Sequence, residues 1–132
     1  MNKILRVKDI MRDRYLMIDG VATVAEAISA MRDGDARALV VNKRDENDEY
    51  GIVLLSDIAK KVLARDRHPD RVNVYEIMSK PVVSVHADMD VRYCSRMFDQ
   101  FGLATAPVLL EGQIIGIVDY QALVLNGLAE LY

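Results

Sequence analysis

Val7-Lys8-Asp9-Ile10-Met11 and Val74-Tyr75-Glu76-Ile77-Met78 are two copies of one pattern, and Gly51-Ile52-Val53 and Gly116-Ile117-Val118 are two copies of another. Met11 and Met78 stand 67 positions apart, and Gly51 and Gly116 stand 65 apart. A period that long with only two copies is too short an array for a solenoid, whose units bury a continuous core only against several neighbours. A tandem pair facing itself is the expected architecture, with a cleft between the units as the place to look for function.

The bulk properties agree with a compact pair. A chain of 132 residues buries roughly two-thirds of its unfolded surface. It is 52% hydrophobic and 28% charged with three prolines, and no apolar run is long enough to span a bilayer. Lys3, Arg6 and Lys8 interrupt the apolar stretch near the N-terminus, which is not a secretory signal. A cytoplasmic location without membrane contact is the expectation. The net charge of −3, with signs interleaved, gives no basic face for nucleic acid. Lys43-Arg44-Asp45-Glu46-Asn47-Asp48-Glu49 reads as a solvated hairpin tip; it lacks the carboxylate and glycine offsets of a divalent-cation loop. His68 and His86 are isolated, so no metal centre is expected. The single cysteine, Cys94, falls at helical spacing with Val91, Phe98 and Phe101 and reads as a core thiol.

Periodicity predicts the elements. Tyr15-Leu16-Met17-Ile18 is a short strand closed by Asp19-Gly20. Thr23-Val24-Ala25-Glu26 matches a capping box, opening a helix with Val24, Ala27, Ile28 and Met31 inward and Gly34 as its stop. Ala38–Val41 and Tyr50–Leu54 are strands, and Ser56 is placed to cap a helix carrying Ile58 and Val62 on its inner face. The second copy repeats the plan. A strand follows Pro81 through Val82–Val85, Asp90 caps a helix, Ala106–Leu110 and Ile114–Val118 flank the turn Glu111-Gly112, and a last helix carries Leu123, Val124 and Leu128. The reading is an α+β fold of two β-α-β-β-α repeats related by pseudo-twofold symmetry, with small mixed sheets packed face to face. Residues 1–65 form the first repeat, 66–73 a polar linker holding Pro69, and 74–132 the second.

This order, carried by IMRDRYLMI and IMSKPVVSV at the two openings, RALVV and TAPVL in the middle strands, and GIVLLSDI and GIVDYQAL near the two ends, resembles a tandem pair of cystathionine-β-synthase-type (CBS) domains, a Bateman module. The resemblance implies a regulatory module that binds an adenosine-containing ligand such as AMP, ATP or S-adenosylmethionine between its repeats and pairs into a homodimer. The family pattern is G-h-x-T/S-x-x-D, in which a short carboxylate accepts from both ribose hydroxyls while a Thr or Ser hydroxyl meets the phosphate. Gly51 and Asp57 match it, whereas Leu54 stands at the hydroxyl position. Ser56 is the substitute hydroxyl, Arg37 falls where a family arginine approaches the phosphate, and the adenine is expected between Tyr15-Leu16 and the backbone at Ala38.

The second cleft, by the same resemblance Val82, Thr105, Pro107 and Asp119, departs further. Asp119 replaces the hydroxyl and Ala122 replaces the ribose carboxylate. A carboxylate against a phosphate repels it by about 4 kcal/mol at ~4 Å and an effective dielectric of ~20. Asp119 is equally well explained as a helix cap, so nucleotide is expected in the first cleft only.

Three function classes follow. A small-molecule sensor shifts between two packings on binding an adenine nucleotide or nucleoside and signals in trans to an effector protein. A docking or dimerisation module would have lost its pockets, for which Leu54, Asp119 and Ala122 speak. Ile58, Val62, Leu123 and Leu128 are the apolar helix positions expected to lie in a dimer interface. An enzyme is not expected, because no nucleophile and base, metal cluster or phosphate-cradling glycine loop is present.

Overall fold

The computed structural model describes residues 4–80 and 82–132; Lys3 and Pro81, which enter the sequence reading above, lie outside them. The elements run α1 (Val7–Ile10), β1 (Met17–Ile18), α2 (Val24–Asp33), β2 (Ala38–Val41), β3 (Gly51–Leu54) and α3 (Leu55–Lys61), followed by three 3-10 turns at Leu63–Arg65, Pro69–Arg71 and Val74–Glu76. The second half runs β4 (Val85–His86), α4 (Val91–Phe101), β5 (Thr105–Leu110), β6 (Gln113–Asp119), a π-helical stretch Ala122–Leu128 and a last turn α5 (Ala129–Leu131). Each half has a three-stranded mixed sheet, in the orders β1-β2-β3 and β4-β5-β6. In both, the first pair is parallel and the second antiparallel.

The compact units do not follow the sequence repeats. Tyr15–Val82 forms one unit, and Val83–Tyr132 joins the segment ending at Arg14 to form the other. Each unit therefore holds the glycine motif of one repeat and the Ile-Met motif of the other. In the 15–82 unit, Ile52 and Ser79 exchange backbone bonds at 3.0 and 2.9 Å, beside Gly51. In the second unit, Arg12 and Ile117 exchange theirs at 2.8 and 2.9 Å, beside Gly116. The two glycines are required by this approach: a Cβ on Gly51 would lie 2.9 Å from the Met78 sulfur, and one on Gly116 would lie 2.6 Å from that of Met11.

Helix α2 starts as expected, with Thr23 Oγ1 accepting from the Glu26 N–H at 3.1 Å; the returning half of the capping box is absent among the described hydrogen bonds. Val24, Ala27 and Met31 are buried, Ile28 is half-buried, and Gly34 caps the C-terminus. Asp90 caps α4 by accepting from Arg92 N at 2.8 Å. The 66–73 segment is anchored rather than loose: Val72 is buried, its carbonyl accepts from Val24 N, and Val74 N donates to Ala22 O, both at 2.8 Å.

Several expectations are corrected. β1 and β4 shrink to two residues each, and Val82 lies outside β4, donating to the Tyr50 carbonyl at 3.1 Å. Ser56 does not cap α3; Leu54 holds the cap position and Ser56 is exposed in the first turn. Phe101 is 59% exposed because α4 ends there, although Val91, Cys94 and Phe98 are buried. Ile58, Val62 and Leu123 are buried inside their own units and are not interface residues; Leu128 is exposed. On the last helix Ala122, Leu123 and Gly127 face inward while Val124 faces out, because a π turn takes more residues than an α turn and shifts the buried stripe.

Candidate functional site

The register of the first sheet gathers most of the sequence-predicted ligand residues at one end. Val40 N donates to Leu16 O at 3.0 Å, which sets Tyr15-Leu16 beside the start of β2. Ala38 faces Leu54 across the antiparallel pair, and Leu55 N donates to Arg37 O at 3.2 Å. Tyr15, Leu16, Arg37, Ala38, Ser56 and Asp57 thus belong to one end of the sheet, with Arg37 and Ser56 exposed and Ala38 buried. Gly51 is not with them. It opens β3 three residues from Leu54, about 10 Å away at strand rise, where it approaches Met78 closely.

Asp57 stands in the first turn of α3 with its carboxylate half-buried. Oδ2 accepts from Leu54 N at 2.8 Å, and Oδ1 lies 3.6 Å from Lys61 Nζ. Lys61 also donates to Ile77 O at 2.9 Å, which fixes it beside the carboxylate. An ionised carboxylate offers about four lone-pair sites, so capping Leu54 leaves acceptor capacity on both oxygens for a diol. Leu54 itself offers none, as its side chain implies.

The corresponding end of the second sheet is internally satisfied. Thr105 faces Asp119 and Pro107 faces Ile117 in the β5–β6 register, with Pro107 buried. Asp119 Oδ1 accepts from Ala122 N at 2.9 Å, and its Oδ2 lies 3.1 Å from Arg12 Nε. Arg12 also donates to Gln121 Oε1 at 2.8 Å. Asp119 therefore serves as a helix cap and an anchor for the N-terminal segment, and Ala122 is a core residue, 1% exposed. Val82, expected with these residues, belongs to the 15–82 unit and is not brought to them within theirs.

Cys94, Asp48, His68 and His86 are held by their own surroundings. Burial pushes the Cys94 thiol up to about 11, as befits an inert core thiol. Asp48, expected in a solvated tip, is instead clamped between the Lys80 ammonium and the Arg44 backbone N–H and guanidinium, which hold its carboxyl far below the usual range. His68 and His86 each accept from a backbone N–H two residues on, at 3.2 and 3.1 Å. No group of three or more metal-ligating side chains exists among the described residues, and no helix among them is long and apolar enough to cross a membrane.

Sequence reasoning overlooked a cleft of about 710 Å³ at the opposite end of the first sheet, bordered by Asp19, Tyr75, Met78 and Lys80 among others. None of the six residues gathered at the Asp57 end lines it. The signal lay in Lys43-Arg44, read as part of a charged tip, and in Tyr75, read only as part of a repeat.

Comparison with known proteins assigns both halves alike. The family described as CBS domain matches residues 7–64 and again 74–126. An uncharacterised protein of Methanopyrus kandleri is 34% identical over 101 residues, covering 75% of this chain and 50% of that protein. The hexameric CBS-CP12 protein from bloom-forming cyanobacteria superposes with a TM-score of 0.90 at 37% identity, over 93% of this chain and 71% of that one. The CBS domain pair of MJ0100, solved in complex with 5′-methylthioadenosine and S-adenosyl-L-methionine, superposes with a TM-score of 0.82 over 97% of this chain and 99% of that one. At 23% identity that last likeness is one of fold alone. The chain spans about half the length of the first curated relatives it matches, from 41% to 59%.

Proposed function

The chain belongs to the CBS domain family and carries two copies of that domain, and from that premise we propose that it is a non-catalytic regulatory module sensing an adenosine-containing small molecule of the AMP, ATP or S-adenosylmethionine class. The ligand is held at the Asp57 end of the first sheet. Asp57 receives the ribose hydroxyls, Ser56 and Arg37 approach the phosphate or its substitute, and the base lies against Tyr15, Leu16 and the backbone at Ala38. The signal passes in trans to an effector protein.

The observation that carries this reading is the Asp57 carboxylate, half-buried in the first turn of α3 and retaining acceptor capacity, on the same sheet end as Arg37 and Ser56. The opposite state of the Asp119 end, where Arg12, Gln121 and Ala122 N use the polar groups, supports one ligand per chain. Thermal unfolding with AMP, ATP and S-adenosylmethionine tests the proposal, since a ligand at 100 times its Kd adds ~2.7 kcal/mol of stability. A saturable rise in Tm with one of them is expected. No shift with any adenosine compound would leave the docking-module reading, favoured by Leu54 at the hydroxyl position, in its place.

A further inference from the structure

The cleft at the far end of the first sheet invites comparison with the same place in the duplicated unit. The units align by backbone bonds: Tyr75 N donates to Gly20 O and Val74 N to Ala22 O, as Lys8 N donates to Ala87 O and Val7 N to Met89 O. Tyr75 is thus the counterpart of Lys8, and Val21 that of Asp88. In the second unit these two positions form an ion pair, with Lys8 Nζ 2.8 Å from Asp88 Oδ1. In the first unit they carry a tyrosine 56% exposed and a valine 75% exposed, both lining the cleft. Solvent-facing positions that hold charges in one copy hold apolar groups in the other.

The charges change as well. Lys43, Arg44 and Lys80 line the cleft, and their counterparts are Leu110, Glu111 and Asp13, none of them cationic. Arg44 and Lys80 share the single carboxylate of Asp48. Lys43 has no carboxylate partner among the described residues; its ammonium lies 4.7 Å over the Tyr50 ring. Asp19, the one acid among the lining residues, accepts from Asn42 Nδ2 at 2.8 Å. Asp45 also acts on Arg44, so the carboxylates of Asp45 and Asp48 are directed at Arg44 and Lys80, and Lys43 is left to face the cleft above a floor of Val41 and Met78.

We infer that this cleft is a second binding site, separate from the Asp57 end, for a small organic anion that has a flat apolar body and one acidic group. The body lies between Tyr75, Val21 and Met78, where water is displaced from exposed apolar surface. The acidic group meets Lys43, the cation not already neutralised by a carboxylate. A volume of about 710 Å³ lies within the ~300–1,000 Å³ range of small-molecule sites. The inference does not rest on the adenosine proposal, since no residue of that site lines the cleft.

The test uses 8-anilino-1-naphthalenesulfonate, a flat apolar anion, against its uncharged analogue N-phenyl-1-naphthylamine. Saturable fluorescence enhancement by the folded parent is expected, with the anion bound at least ten-fold more tightly than the neutral probe. Val21→Asp combined with Tyr75→Lys installs the ion pair of the duplicated unit and should weaken anion binding at least ten-fold. Lys43→Gln should remove the preference for the anion while leaving the neutral probe bound, and it keeps the test decisive should the double variant not fold. Asp57→Ala should change nothing. Absence of saturable binding by the parent, an undiminished preference in Lys43→Gln, or unchanged binding by a folded double variant would each overturn the assignment, as would loss of the probe in Asp57→Ala.

Discussion

Gly116→Ala is expected to be more damaging than the equivalent change at Gly51. The added Cβ would lie 2.7 Å from the Arg12 carbonyl oxygen and 2.6 Å from the Met11 sulfur. A flexible thioether can swing away, but a backbone carbonyl cannot without moving the segment that carries it. The movement puts at risk the two Arg12–Ile117 backbone bonds, at 2.8 and 2.9 Å, worth about 1 kcal/mol each. Overpacking adds ~1–3 kcal/mol, so the expected loss is about 3–5 kcal/mol where both bonds break. Gly51→Ala provides the internal comparison. Its worst contact is the Met78 sulfur at 2.9 Å, and the Ser79 carbonyl oxygen stands off at 3.2 Å, so a rotamer change relieves most of the clash and the cost should be about 1–2 kcal/mol. Urea unfolding followed by circular dichroism would measure both, with Tm falling about 4 °C per kcal/mol for a chain of this size. The packing argument fails if Gly116→Ala loses less than about 0.5 kcal/mol, or if Gly51→Ala is the worse of the two.

Three further outcomes are expected. Cys94, buried and with its thiol raised to about 11, should resist a thiol reagent at pH 8 and react stoichiometrically in denaturant; rapid labelling of the folded chain would refute its placement. The Asp48 carboxyl is held below its unfolded value of 3.8 by Lys80 and Arg44, so its contribution is present above that pH and is lost as pH falls through the folded value. Parent and Asp48→Asn should therefore differ by a constant amount at pH 5–8, and the gap should narrow progressively only as pH falls below 3.8 toward the folded value, whereas a gap independent of pH would exclude the ion-pair origin. Sedimentation at micromolar concentration should show self-association through the last helix, where Tyr120, Val124, Leu125 and Leu128 are each 47–60% exposed; a sole 14.9 kDa species would contradict it.

How far the sequence could be read follows from which features are local. The duplicated motifs, the Thr23 and Asp90 caps and the buried positions Val24, Ala27, Met31, Cys94 and Phe98 depend on short-range pattern, and they stand in the structure as expected. The exchange of Ile-Met segments between units could not be read that way. Met11 and Met78 are the same residue type beside equivalent glycines, so composition does not say which copy pairs with which; the course of the chain through Val72 and Val74 does. The last helix misled for a related reason, since a period of 3.6 places Val124 and Leu128 on one face with no hint of the π turn that exposes both. At the candidate site the motif singles out Gly51 and Asp57 in the sequence, and the register of the sheet sets Asp57 at the end that carries Arg37 and Ser56, while Gly51 stands beside Met78. Arg12 beside Asp119 joins residues more than a hundred positions apart, a pairing that no local pattern announces.

Calorimetric titration of the parent, Asp57→Ala and Asp119→Ala with the adenosine ligand that raises Tm most tests the central claim directly. One site per chain is expected in the parent. Loss of two charge-assisted bonds to a ribose diol should cost Asp57→Ala about 1.5–3 kcal/mol, or one to two decades of affinity. Asp119→Ala should bind as the parent does, although it loses the bond from Ala122 N and the Arg12 pair and is less stable. Two equivalent sites per chain, or undiminished binding by Asp57→Ala, would contradict the account.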